Sequence, residues 1–159
     1  MYQYDYANLI DFDFATFQLV NRSVVDSQGF EVQLSGVNGS LFRWQLSAWQ
    51  NENEVDGVDN VLLHRPEHAA AAWFYWTPNI DWELMFSAKY EGSRPSSSIP
   101  GGDESLPSYA RFDVAVSRSL GKDMQLQLAV DNLFDEDYEV VAGFPSAGLQ
   151  ARVGLRKRF

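Results

Sequence analysis

The stretch Leu149-Gln150-Ala151-Arg152-Val153-Gly154-Leu155-Arg156-Lys157-Arg158-Phe159 decides the fold. Side chains alternate between the two faces of a β-strand. Leu149, Ala151, Val153, Leu155, Lys157 and Phe159 therefore share one face, and Gln150, Arg152, Gly154, Arg156 and Arg158 share the other. The same period-2 pattern recurs towards the N-terminus. Met124, Leu126, Leu128 and Val130 oppose Gln125, Gln127 and Asp131; Ala110, Phe112, Val114 and Val116 oppose Arg111, Asp113 and Ser117. Trp82, Leu84, Phe86, Ala88 and Tyr90 alternate with Glu83, Ser87 and Lys89, and Phe42, Trp44, Leu46 and Ala48 with Arg43, Gln45 and Ser47. Phe30, Val32 and Leu34 alternate with Glu31 and Gln33. The run from Ala69 to Trp76 is apolar on both faces, so its phase is open, and Tyr2 to Ile10 is a weaker strand. The count is about eight strands of roughly ten residues, the length that crosses a membrane as part of a barrel.

The connections alternate in length. Short turns are expected at Asn38-Gly39, Pro78-Asn79 and Gly121-Lys122, and Asn-Gly is a strong hairpin signal. Long polar connections run from Asn51 to Arg65, from Glu91 to Leu106 and from Asn132 to Gly148. Outer-membrane barrels have short periplasmic turns and longer extracellular loops. With the C-terminus in the periplasm, every short turn falls inside and every long loop outside. Trp44, Trp76, Trp82 and Phe159 then lie near the periplasmic interface, where aromatic rings form a belt. The expected class is all-β, an antiparallel up-and-down transmembrane barrel wall. Arg43, Glu31, Lys89, Arg111 and Arg152 should face the lumen; Phe42, Leu84, Phe112, Leu126 and Val153 should face lipid. A one-residue slip would put the charges into hydrocarbon. Lys157 stands on the apolar face, where its amine can snorkel to water at the interface.

Composition agrees with this class and excludes others. No cysteine occurs among 159 residues, which removes a disulfide scaffold and a thiolate zinc site. The net charge of -10 argues against a nucleic-acid partner, since phosphate binding needs a positive surface. A mean hydropathy of -0.28 carries no weight, because averaging hides alternating strands. No apolar run is long enough for a transmembrane helix. Tyr2, Gln3, Tyr4 and Asp5 after Met1 have neither the basic nor the apolar part of a signal peptide, so a fragment or an upstream start is expected.

Candidate chemistry is sparse. Glu52, Glu54, Asp56 and Asp59 do not match a calcium-loop spacing and read as a solvated outer loop. His64 and His68 are four apart but sit at a loop-to-strand transition without a Glu-flanked zinc motif. Ser96, Ser97 and Ser98 have no His–Asp logic nearby, and no Gly-rich phosphate loop opens a helix. Neither an enzyme, a metal site nor a cofactor is expected.

Val130-Asp131-Asn132-Leu133-Phe134-Asp135-Glu136-Asp137-Tyr138-Glu139, followed by Gly143-Phe144-Pro145 and a final strand ending in Phe159, resembles the end of a TonB-dependent receptor. The likeness is greatest to the cobalamin-transporter group. Leu63-His64-Arg65-Pro66, Gly29-Phe30-Glu31 and Tyr109-Ala110-Arg111-Phe112-Asp113 are weaker matches. Within the run, Asn132 and Asp135 can bond backbone and turn the chain, and Leu133 and Phe134 can anchor a loop base. A structural loop base, not a binding site, is the expectation for Asn132, Leu133, Phe134, Asp135 and Tyr138. The resemblance implies that Phe159 is the signal read by the barrel-assembly machinery. It also implies a bacterial outer-membrane location and a lipid-facing exterior. It makes residues 1–159 the C-terminal portion of the barrel, with no recognisable plug domain or TonB-binding box. TonB would then act only through a plug outside these residues, and the intact receptor would import a scarce ligand such as cobalamin or an iron chelate.

Two other functions fit the alternation. One is a self-contained eight-stranded outer-membrane barrel with a structural or adhesive role. The other is a soluble β-sandwich binding module. An even strand number and up-down connectivity favour closure through pairing of Tyr2–Ile10 with Leu149–Phe159. The other outcome is an open, curved sheet from a larger wall.

Overall fold

The computed structural model describes residues 1–13, 16–55, 58–59, 62–98 and 101–158. Phe159 lies outside the described residues. The elements in chain order are β1 (Tyr2–Asp13), β2 (Gln18–Asn38), β3 (Phe42–Val55), β4 (Val58–Asp59), β5 (His68–Asn79) and β6 (Trp82–Glu91). They continue with β7 (Arg94–Ser98), β8 (Gly102–Leu106), β9 (Tyr109–Ser119), β10 (Met124–Asp131), β11 (Glu139–Val141), β12 (Phe144–Pro145) and β13 (Gln150–Lys157). One antiparallel sheet runs β1-β2-β3-β5-β6-β9-β10-β13, with β4 added to β3; β7-β8 and β11-β12 are separate hairpins within the long loops.

Register fixes the two faces. On one face Arg43 pairs with Tyr75, Tyr75 with Met85, Met85 with Ala115, Ala115 with Ala129 and Ala129 with Arg152. Lys89 pairs with Arg111, and Glu31 with Trp49, on that same face. On the other face Phe42, Trp76, Leu84, Val116, Leu128 and Val153 follow one another in a row. The charged set and the apolar set are thus on opposite sides. The open phase of Ala69 to Trp76 is settled by pairing with β3: Ala70, Ala72, Phe74 and Trp76 face outward, and Ala69, Ala71, Trp73 and Tyr75 inward.

The outward face is held by ring contacts. Phe42, Phe74, Phe86 and Phe112 form a diagonal row with centroid spacings of 6.0, 6.1 and 6.1 Å. Trp44 lies across Gly36, where a Cβ would come within 2.5 Å of the indole nitrogen. Glycine here lets the ring settle on the strand at the turn end. Arg118 also points outward, but in the row of Trp82, and its guanidinium stacks 4.9 Å from that ring. Lys157 pairs with Met124 at the same end. Both cations sit where an interface lets them reach water.

Three expectations need correction. First, the turn after β5 is at Ile80-Asp81, not Pro78-Asn79. Asp81 N donates to Asn79 Oδ1 at 2.9 Å, and Thr77 is clipped to Leu41 O and Ser40 O of the neighbouring turn, which carries the strand past the proline. Second, Asn51 to Val55 is strand, and β2 begins at Gln18. A 21-residue strand spans roughly 70 Å, whereas the apolar band of such barrels is about 25 Å tall. The upper half of β2 and all of β1, paired from Tyr2↔Gly29 to Asp13↔Gln18, therefore stand beyond the band as a tall hairpin.

Third, the sheet does not close among the described residues, where β1 and β13 share no ladder. The parity argument fails because β1 does not cross the apolar band. Of the eight strands on the path, seven remain without it. The first and last of those, β2 and β13, run in the same direction and cannot form an antiparallel seam. The fold is an open arc of barrel wall.

Candidate functional site

Small residues carve a hollow into the inward face. Its rows are Trp49-Ala69-Glu91-Tyr109, then Ser47-Ala71-Lys89-Arg111, then Gln45-Trp73-Ser87-Asp113, and below them Arg43-Tyr75-Met85-Ala115. Ser47, Ala69 and Ala71 supply no bulk between Trp49 above and Trp73 below. A cavity of 660 Å³ results, bounded also by Arg43, Tyr75, Met85 and the Lys89–Glu91 pair. That volume is in the range of small-molecule sites, about 300–1,000 Å³. The character is apolar and aromatic, with a few convergent polar groups.

Charge on this wall is largely neutralised in place. Lys89 Nζ meets Glu91 Oε1 at 2.6 Å, Arg111 Nε meets Asp113 Oδ1 at 2.8 Å, and Arg152 Nη2 meets Asp131 Oδ2 at 2.7 Å. The Arg43 guanidinium stacks 4.4 Å from the Tyr75 ring. Lys89–Glu91 and Arg111–Asp113 are i,i+2 neighbours on one strand, Arg152–Asp131 is a diagonal pair and Arg43–Tyr75 a direct cross-strand pair, all of which alternation places side by side.

Above the hollow the long loops fold into one cap. Arg94, only 2% exposed, donates from Nε to Val140 O at 3.2 Å and from Nη2 to Glu139 O. Its Nη1 meets Glu91 Oε2 at 3.2 Å. Ser96, fully buried, accepts from Ala142 N at 3.0 Å and lies 3.3 Å from His64 Nδ1. Tyr109 stacks on Tyr138 at 4.0 Å. The segments around His64, β7-β8 and β11-β12 are thereby tied together.

The Asn-Leu-Phe-Asp run forms the base of this cap. Asn132, 2% exposed at φ 53°, donates its backbone N to Asp113 Oδ1 at 2.9 Å. Its side chain donates to Glu136 O at 2.9 Å and accepts from Glu136 N at 2.9 Å. Leu133 N donates to Phe112 O at 2.7 Å, and Asp135 Oδ1 accepts from Leu149 N at 2.7 Å. Phe134 is 69% exposed and meets the Phe112 ring edge-on at 5.2 Å, extending the outward phenylalanine row. Tyr138 lies in the cap.

The other candidates are dispersed. His64 bonds within the cap, whereas His68 stacks on Tyr90 on the outward face. Glu52 accepts from Gln28, and Glu52 and Glu54 continue β3. Asp56 lies outside the described residues. The sequence reading missed the hollow, whose signal is the inward pair Trp49 and Trp73 once the phase of β5 is known. It also missed Arg94, and a single arginine in a Ser- and Gly-rich loop offers no signal for its burial.

Comparison with known proteins follows the same lines. Residues 1–133 match the family model "TonB dependent receptor-like, beta-barrel". That match ends inside the Asn-Leu-Phe-Asp run, while the structural likeness extends through it. The vitamin B12 transporter BtuB of Vibrio cholerae is 26% identical over 155 residues, covering 92% of this chain and 24% of that protein. The ferric-catecholate import receptor Fiu of E. coli K12 superposes with a TM-score of 0.79 at 19% identity, over 99% of this chain and 24% of that one. The ferripyoverdine receptor of Pseudomonas aeruginosa gives 0.78 at 14% identity, over 98% and 24%. The chain spans about a quarter of the length of the curated relatives it matches. These relatives are transporters and receptors, not enzymes. With its all-antiparallel wall, outward phenylalanine row and paired charges on the inner face, the chain belongs to the TonB-dependent receptor-like β-barrel family of the bacterial outer membrane.

Proposed function

We propose that these residues form the C-terminal part of the wall of an importer that draws on TonB to take up a scarce ligand, cobalamin or an iron chelate. The short turns face the periplasm, and the tall β1-β2 hairpin and the three-loop cap face the cell exterior. Energy reaches such an importer through a plug that packs inside the barrel and lies outside these residues. The wall itself contributes ligand contacts. What supports this reading is the 660 Å³ aromatic hollow on the inward side, directly under the cap. Within the two ligand classes the paired cations favour the neutral, amide-rich corrinoid over an anionic chelate. An anion would have to displace Glu91, Asp113 or Asp131 from its partner.

The test is uptake by cells that carry or lack the full receptor, each with and without TonB. Labelled cyanocobalamin and labelled ferric chelates are offered at nanomolar concentration. Accumulation of one of them should require both the receptor and TonB. Accumulation independent of the receptor for every ligand offered would remove the import reading.

A further inference from the structure

Among the three carboxylates that pair with cations on this wall, Glu91 alone holds two of them. It ends β6 at the rim of the hollow, and its two carboxylate oxygens hold different cations. Oε1 lies 2.6 Å from Lys89 Nζ, and Oε2 lies 3.2 Å from Arg94 Nη1. The three side chains differ in access. Arg94 is 1% exposed and Glu91 17%, whereas Lys89 is 55% exposed and lines the hollow. Arg94 cannot swing away, because the Glu139 and Val140 carbonyls and the Tyr109 ring fix it. It therefore holds Glu91 still, and Glu91 in turn neutralises the one exposed cation of this trio, Lys89, whose ammonium also lies 6.0 Å from the uncharged Tyr109 ring.

We infer that Glu91 is a specificity-determining residue: held by Arg94, it masks Lys89 and so sets the wall against anionic ligands. The inference rests on the hollow being a ligand-contacting wall. Asp113 acts in the same sense on Arg111, so removal of Glu91 alone leaves Lys89 as the newly uncompensated mobile cation on this rim. A charge-assisted hydrogen bond from that ammonium to an anionic ligand is worth about tenfold or more in affinity.

The experiment uses purified full receptor and two probes, the anionic ferric tris-catecholate and neutral cyanocobalamin, with affinities from intrinsic tryptophan quenching. Glu91→Gln should bind the tris-catecholate about tenfold more tightly than the parent, with a gain that shrinks as salt rises. Its affinity for cyanocobalamin should stay within about twofold. Adding Lys89→Gln should abolish the gain. Loss of near-ultraviolet signal from the Tyr109–Tyr138 stack would mean that Glu91→Gln loosens the cap. In that case Glu91→Asp, which keeps a carboxylate for Arg94 and draws it one methylene back from Lys89, tests the same exposure of Lys89. A folded variant with no gain for the anion overturns the inference, as does a gain that survives Lys89→Gln. Binding is read on purified receptor without TonB, so absence of the gain is distinct from a failure of uptake.

Discussion

Asn132 combines a strained backbone with a full set of side-chain bonds. A residue other than glycine at φ 53° costs about 1 kcal/mol, yet asparagine tolerates this region because its amide can bond nearby backbone. Here the amide satisfies Glu136 N and Glu136 O at once, and the strained turn aims Asn132 N at Asp113 Oδ1. Asp113 is also the partner of Arg111, so one carboxylate joins the loop base to the wall. Asn132→Ala should destabilise the full receptor by about 2–4 kcal/mol, through lost bonds and unpaired backbone groups. Asn132→Gly keeps the left-handed turn free of strain, so it should recover about 1 kcal/mol of that loss. Denaturant unfolding in lipid vesicles checks both values. Equal stability for the alanine and glycine variants would show that φ carries none of the cost. The residue types of this run could be read from the sequence. Its main acceptor, Asp113, lies 19 residues earlier and only strand register brings it there.

Strands β3, β6, β9, β10 and β13 follow one rule, apolar towards lipid and mainly polar towards the lumen, and that rule made them legible, whereas β5 is apolar on both faces and takes its phase only from pairing with β3. Hydrocarbon tolerates no charge on one face and the lumen needs no apolar residue on the other, so alternation is imposed twice. The rule should be measurable on β10. Leu128→Arg places a guanidinium in the outward row of Val116 and Val153 and should cost about 2–4 kcal/mol. Gln127→Arg, one residue away on the inward face, should change stability by less than about 0.5 kcal/mol. Unfolding of both variants in vesicles tests the assignment, and similar costs for the two would contradict the faces given by register. Where the lipid stops, the rule lapses. Gln18 to Gly29 stands above the apolar band, its outward side carries Gln28, Asp26 and Arg22 beside Val24 and Val20, and its alternation is correspondingly weak. The cap hairpins are shorter still. Arg94 to Ser98 is a strand through its ladder with β8, and Arg94 and Ser96 are buried against Val140 and Ala142, contacts between residues 46 apart that local pattern does not contain.

The whole sheet has two free edges, and their chemistry differs. The outer edge of β1 lies above the apolar band, where water can satisfy its backbone. The outer edge of β13 lies in the band, with Ala151, Val153 and Leu155 on the lipid side and no partner strand among the described residues. The lower half of β2, Phe30 to Asn38, is in the same position on the opposite side. Each backbone group left unpaired in hydrocarbon costs several kcal/mol, so two edges of this length outweigh the few kcal/mol by which such a sheet is stable. Residues 1–159 on their own therefore cannot stay in a bilayer as this arc. Parity forbids them from sealing it alone, because β2 and β13 descend together; the missing span must supply strands that start antiparallel to one and end antiparallel to the other, which requires an odd number. Exported to the outer membrane as an isolated segment, the chain should give no heat-modifiable barrel on electrophoresis and no TonB-dependent uptake, while the full receptor gives both. A heat-modifiable, protease-resistant monomer from residues 1–159 alone would show that the edges meet after all, and would return the arc to a closed barrel.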